Sequence, residues 1–199
     1  MLVYLIMLII AIPMMIFIPV KRIGLKNLKE LKKNKQEFII SCNHMSNYDP
    51  VMLDIKFFKK HYFLAKKELF KNKLTAAIMR YCGAVRVDRG NVDSSAIKEI
   101  FRLIGKKKRI AIFPQGTRTK SPIIEDGAAK EGVAMFAVRT GTPVVPMMYT
   151  NKIKPFHKTK LLIGKPIYPD ITRKKDRDYV AEFANEIVEK MNALLEGDK

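Results

Sequence analysis

Residues 37–58 read EFIISCNHMSNYDPVMLDIKFF, and the change of pattern inside this stretch decides the fold. Residues 37–41 form a short apolar run of strand type. The apolar pattern that follows Asp49-Pro50 is that of a helix, with Asp at the N-cap and Pro at the first helical position. His44 to Tyr48 therefore form a strand-to-helix loop.

Outward from this junction the same alternation recurs. Residues 62–65, 84–87, 109–113, 144–148 and 160–163 read as strands. Helices are predicted over 70–81, over 94–105 with Gly105 as the stop, and over 128–139 ahead of Thr140-Gly141. The closing helix, 177–196, sets Val180, Phe183, Ala184, Ile187, Met191 and Leu194 on one stripe. Strands alternating with helices predict an α/β fold, a mixed and largely parallel sheet flanked by helices. Ligands in such folds gather on loops at the carboxyl ends of strands.

The charge balance narrows the partners. Lys and Arg number 38 against 19 Asp and Glu, a net charge of +19. Such a field attracts phosphates on lipids, on nucleic acids or on acidic carrier proteins. Nucleic acid is set aside, because no nucleic-acid motif is present and residues 2–20 form an uncharged apolar segment foreign to that class. Two cysteines, Cys42 and Cys82, are no disulfide framework and read as reduced core residues.

The segment LVYLIMLIIAIPMMIFIPV, residues 2–20, is assigned to an N-terminal membrane-anchoring helix, with 21–199 as one compact domain. Nineteen helical residues reach about 28 Å against a hydrocarbon core of roughly 30 Å. Pro13 kinks such a helix and Pro19 ends it, so a spanning helix and a bent segment lying in one leaflet both stay open. A cleaved signal peptide is a third reading, opposed by the lack of a basic n-region and of a small-residue cleavage site. The basic run from Lys21 keeps the body on the cytoplasmic face and favours anionic headgroups.

Four short strings carry the chemistry. In NHMSNYD, His44 and Asp49 are five residues apart, a spacing that fits no single helix face but that a loop can turn together. Acyl transfer to an alcohol needs a base that titrates near neutral pH, and an imidazole held by a carboxylate is that base. The same pair is equally explained by a helix cap with a histidine beside it. GAVRVDRG is a strand breaking into Asp88-Arg89-Gly90, where Arg89 suits a phosphate or simply pairs with Asp88 in solvent. FPQGTR ends a strand in a turn, where Gly116 permits close approach and Thr117 and Arg118 supply donors to an anion. TPVVPM reads equally as a wall for an acyl chain and as a buried strand.

Together and in this order, NHMSNYD, GAVRVDRG, FPQGTR and TPVVPM resemble the four blocks of the glycerolipid acyltransferases, specifically the 1-acylglycerol-3-phosphate (lysophosphatidic acid) acyltransferases. The resemblance extends over about residues 21–169 and includes FLAKKELF at 63–70 and Lys130-Glu131-Gly132. It implies transfer of a fatty acyl group from a thioester of acyl carrier protein or coenzyme A to the sn-2 hydroxyl of lysophosphatidate, giving phosphatidate. Another lysophospholipid or glycerol 3-phosphate is the alternative acceptor. Carried over by position, His44 is the general base and Asp49 its partner. Arg89, Gln115, Gly116, Thr117 and Arg118 bind the acceptor phosphate, and no metal or cofactor is implied. Cys42, two residues before His44, is not assigned as a nucleophile. One departure stands out: Gln115 occupies a position at which the family usually carries Glu, which keeps hydrogen bonding but loses the charge.

Overall fold

A computed structural model describes residues 17–88, 94–125 and 127–198 of the chain. Residues 1–16, most of the apolar segment, and Arg89 lie outside the described residues.

The strands are β1 (Val20–Ile23), β2 (Ile39–Cys42), β3 (Phe63–Lys66), β4 (Ala84–Val87), β5 (Ile110–Ile112), β6 (Val144–Tyr149) and β7 (Thr159–Ile163). Between them lie α1 (Lys29–Lys33), α2 (Asp49–Phe57), α3 (Lys73–Tyr81), α4 (Ser94–Gly105) and α5 (Gly132–Thr140), and α6 (Arg177–Glu196) closes the chain. Five strands form one sheet in the order β1-β7-β6-β2-β5, while β3 and β4 pair beside it. A bridge from Tyr62 to Ile110 joins the two sheets. Among the described residues the named strands pair in parallel except β6 with β7, and an antiparallel bridge joins Val144 to Ile167. The mixed, largely parallel α/β architecture expected from the sequence is thus the one observed.

Parallel strands covered on both faces are apolar at successive residues, and side-chain alternation divides those residues between two cores. Ile39, Ile110, Ile112, Val144 and Met148 face Ile100 of α4, Phe136 of α5, and Phe183 and Met191 of α6. Their neighbours Ile40, Cys42, Ala111, Val145 and Met147 face Leu28, Leu31 of α1, and Met52 and Leu53 of α2. β2 lies between β6 and β5, so its carboxyl end, where His44 sits, is held from both sides.

Several expectations change. β1 was read as the end of the apolar segment and the start of a basic run. Instead Val20 to Ile23 pairs with β7 as an edge strand, where Lys21 and Arg22 are the kind of charged side chain that edges carry. Ile18 and Val20 are buried in the core of the domain, and among the described residues no helix is long and apolar enough to cross a membrane. The helix expected from residue 70 starts at Lys73. A 3-10 turn, Lys67–Phe70, comes first, and the Asn72 side chain caps the helix by accepting from Leu74 N–H at 2.8 Å. The helix expected from residue 128 starts at Gly132, because Lys130 N–H donates to Pro114 O at 2.8 Å and ties that segment to the FPQGTR turn.

Gly83 links α3 to β4 at φ +88°, and a Cβ there would stand 2.3 Å from the carbonyl oxygen of His61. Gly83→Ala is expected to lower stability by at least about 2 kcal/mol, from the strained backbone and the clash together. Gly105→Ala, at a helix end with nothing within 4 Å of the new methyl, serves as the near-neutral control. Thermal unfolding of the two variants compared with the parent checks this.

Candidate active site

The site is built on the carboxyl ends of β2, β5 and β6. Asn43, directly after β2 and fully buried, behaves as an extra strand residue. Its Oδ1 accepts from Tyr149 N–H at 2.8 Å, and its Nδ2 donates to Tyr149 O at 3.0 Å and to Pro122 O at 3.2 Å. The chain is thereby pinned to β6 at the point where it leaves the sheet, and His44 is the next residue.

His44 and Asp49 meet, with Nδ1 2.8 Å from Asp49 Oδ2. The same oxygen accepts from Met45 N–H and Ser46 N–H, each at 2.7 Å. An oxygen already accepting two amide protons has no proton of its own to offer, so the imidazole donates from Nδ1 and its lone pair resides on Nε2. Nε2 has no partner among the described residues, and the His44 side chain is 16% exposed while that of Asp49 is fully buried. The ring lies against Phe113 with centroids 4.5 Å apart, which fixes its plane.

Asp49 is not the helix cap expected from Asp-Pro. Tyr48 occupies the N-cap, Asp49 is the first helical residue, and its carboxylate turns back to the preceding loop instead of forward to the helix amides. Its other oxygen, Oδ1, is buried without a hydrogen bond among the described residues. The three successive N–H groups of His44, Met45 and Ser46 are all occupied by side-chain acceptors.

The FPQGTR turn packs onto this loop. Gln115 is buried, and its amide is engaged at both ends: Oε1 accepts from His44 N–H at 2.9 Å and Nε2 donates to Thr119 Oγ1 at 3.1 Å. Thr119 N–H donates in turn to His44 O at 2.8 Å. Gln115, expected at the acceptor phosphate, therefore stands as a clamp on the backbone of His44. Gly116 turns the chain at φ +65°, with the aliphatic stem of Lys130 lying across it. Thr117 and Arg118 are exposed, and Arg118 Nη1 donates to Asn47 Oδ1 at 2.8 Å, which carries its charge to the His44 loop.

Thr119 and Tyr149 carry weight that the quoted strings did not reveal, while Asn43 and Lys130 stood in them without an assigned role. A second pair, His61 Nδ1 with Asp54 Oδ1 at 2.8 Å, lies at the far end of α2, but the His61 side chain is 2% exposed and offers nothing to a substrate. Cys42 is free and buried, and burial, reinforced by the Asp49 carboxylate, pushes its thiol well above the usual range. It is a neutral core group, not a nucleophile.

The chain matches the family described as Acyltransferase over residues 20–150. It is 34% identical over 138 residues to the 1-acyl-sn-glycerol-3-phosphate acyltransferase of Bacillus subtilis, a stretch covering 66% of the chain and 67% of that protein. It is 27% identical over 180 residues to the protein of the same name from Streptococcus pneumoniae, covering 87% of the chain and 66% of that protein. The chain thus spans about two thirds of the length of these relatives. Among solved structures it resembles the crystal structure of the 1-acyl-sn-glycerophosphate acyltransferase PlsC from Thermotoga maritima. The TM-score is 0.60 and the identity 28%, over 87% of this chain and 72% of that one.

Two outcomes follow for the site. Cys42→Ala is expected to keep acyl transfer within about threefold of the parent, since the loss is that of a small buried side chain, and a thiol alkylating reagent at neutral pH is expected to leave Cys42 unmodified in the folded chain. Gln115→Leu, which strips the His44 N–H of its acceptor, is expected to cost about 1–3 kcal/mol of stability. Gln115→Glu, which still accepts there, is expected to cost less. Activity assays, mass mapping of the alkylated thiols and unfolding curves check these.

Proposed function

The chain belongs to the acyltransferase family, and from that premise we propose that it acylates the free hydroxyl of lysophosphatidate to give phosphatidate, with His44 as the general base. The observation that carries the mechanism is the exposed Nε2 of an imidazole whose other nitrogen is held by Asp49. Nε2 takes the proton of the acceptor hydroxyl as its oxygen attacks the thioester carbonyl. The tetrahedral intermediate then collapses, the carbon–sulfur bond breaks, and the imidazolium returns the proton to the leaving thiolate. Asp49 holds the ring in one tautomer and stabilises its positive charge between the two transfers. The acyl group passes directly between substrates, because the thiol beside the site, that of Cys42, is buried and neutral.

The acceptor phosphate is assigned to Arg118 and Thr117 on the exposed turn, with Gly116 allowing close approach and Lys130 adding an ammonium beside it. Arg89 belongs to the same site by its motif. Gln115 acts one step back, by holding the loop that presents His44. The donor is an acyl thioester of acyl carrier protein or coenzyme A. The uncharged residues 2–16, ahead of the buried Ile18 and of β1, anchor the chain to the membrane, and the +19 net charge favours anionic headgroups on the cytoplasmic face.

His44→Ala is expected to lower kcat by about a hundred- to ten-thousand-fold, and Asp49→Asn by a comparable factor, with stability near that of the parent for the histidine variant. Arg118→Ala is expected to act chiefly on KM for lysophosphatidate. The assay is detergent-purified enzyme with lysophosphatidate and, in parallel, acyl carrier protein and coenzyme A thioesters. Undiminished transfer by His44→Ala overturns the mechanism, and no turnover by the parent with either donor overturns the function.

A further inference from the structure

We infer that the outward face of α3 docks an acidic acyl carrier protein, with Leu74, Ile78 and Tyr81 making the apolar contact and Lys71, Lys73 and Arg80 meeting carboxylates of the partner. The inference rests on the acyltransferase reading above and assigns a surface to the protein that brings the donor.

A helix on the surface of a domain ordinarily turns its apolar stripe inward. α3 does bury one face, where Ala76 is 4% exposed and Met79 packs with Phe63, Ala65 and Ala84. On the reverse face, residues 74, 78 and 81, spaced by four and then three, bring a second apolar row to the surface. Leu74 is 68% exposed, Ile78 52% and Tyr81 38%, and Leu69, on the 3-10 turn ahead of the helix, is exposed as well. Neighbouring large apolar side chains held outward on one helix are a contact surface.

Charge decides the partner. Residues 66–86 hold six basic residues, Lys66, Lys67, Lys71, Lys73, Arg80 and Arg86, against one acidic residue, Glu68. Lys71, Lys73 and Arg80 are exposed beside the apolar row. An apolar centre with a cationic rim complements a protein whose own apolar contact is rimmed by carboxylates. Coenzyme A, a nucleotide, would engage the cations but leave Leu74 and Ile78 in water.

Position ties this surface to the chemistry. The bridge from Tyr62 to Ile110 is parallel, so β3 ends at the same edge as β5 and β2, the edge that holds His44. The 3-10 turn after β3 starts α3 there, and the helix runs back along the strands to the beginning of β4. Under it Met79, Phe70 and Phe113 share one apolar cluster, and Phe113 lies against the His44 ring. One apolar layer thus lies between a docked carrier and the base, which suits a thioester presented on a flexible arm. The same bridge puts β4 at the end of the strand order opposite β1. α3 therefore stands on the other flank from the point where the apolar segment joins the fold, open to a soluble partner.

Two double variants of the full-length protein test the inference, Leu74→Asp/Ile78→Asp on the apolar row and Lys71→Glu/Lys73→Glu on its rim. Lys106→Glu/Lys108→Glu, exposed at the amino end of β5, is the control. Fluorescently labelled acyl carrier protein from a bacterium is titrated into each, and transfer to lysophosphatidate is measured with palmitoyl-acyl carrier protein and with palmitoyl-coenzyme A. Both α3 variants are expected to weaken carrier binding, and to raise KM for the carrier thioester, by about tenfold or more. The control, and KM for the coenzyme A thioester in every variant, are expected to stay within about twofold of the parent. Carrier binding that is absent in the parent, or unaltered in both variants, overturns the surface, as does an equal loss with the two donors. Retained carrier binding with lost sedimentation on phosphatidylcholine–phosphatidylglycerol vesicles overturns it in favour of a bilayer contact. The titration needs no turnover, so a parent inactive with both donors overturns the acyltransferase reading while the surface is decided by binding alone.

Discussion

One carboxylate oxygen, Oδ2 of Asp49, accepts three hydrogen bonds, from the His44 ring and from the Met45 and Ser46 amides, and the geometry of the site depends on it. The loop between β2 and α2 has little apolar content of its own to fold around. What gives it a single shape is a buried charge at the start of α2 that gathers the preceding donors. The same bonds that satisfy the carboxylate define the turn, and the turn aims the imidazole. An H-x4-D spacing works here because the helix begins at the aspartate itself: the carboxylate looks back over the loop that the histidine opens.

The surroundings reinforce that arrangement from the β5 side. Gln115 bridges the His44 amide and Thr119, and Thr119 closes the circuit on the His44 carbonyl. A neutral amide suits this position well. Its oxygen serves the His44 N–H and its nitrogen serves a hydroxyl, so both ends are paired without placing a charge in a buried position, where desolvation raises its cost. The neutral amide of Gln115 is therefore suited to holding the His44 loop.

Much of the fold was legible because its signals are local. β4, α4 and α6 begin and end where pattern and stop residues place them, since apolar periodicity and a polar or glycine boundary coincide there. β1 was not legible. An edge strand with two consecutive basic residues looks like a charged linker until its partner β7, more than a hundred residues later, is known. The start of α5 was misread for a similar reason: residues 128–131 have helical composition, but a backbone bond to Pro114 holds them in the turn. At the site, His44 and Asp49, which the structure brings together, stood out by residue type and spacing. Of the residues that place them, Thr119 and Tyr149 left no trace, because they act through tertiary bonds that have no periodic pattern in the sequence.

The one reversed pairing, β6 with β7, carries a consequence larger than its size. Had β7 run parallel to its neighbour, β1 beside it would have begun at the opposite edge, and the apolar segment would have entered the fold far from His44. Reversal lets a short loop, 150–158, connect β6 to β7 at the catalytic edge itself, so the chain needs no crossover helix there. That loop brings Ile153 into the core beneath the His44 loop, where its carbonyl accepts from Ser46 Oγ at 3.2 Å, and sets Phe156 beside Phe17 outside. A single connection therefore joins the backbone of the catalytic loop to the point where the apolar segment meets the domain. The direction of these strands thus sets His44 and the amino end of β1 on one edge of the sheet.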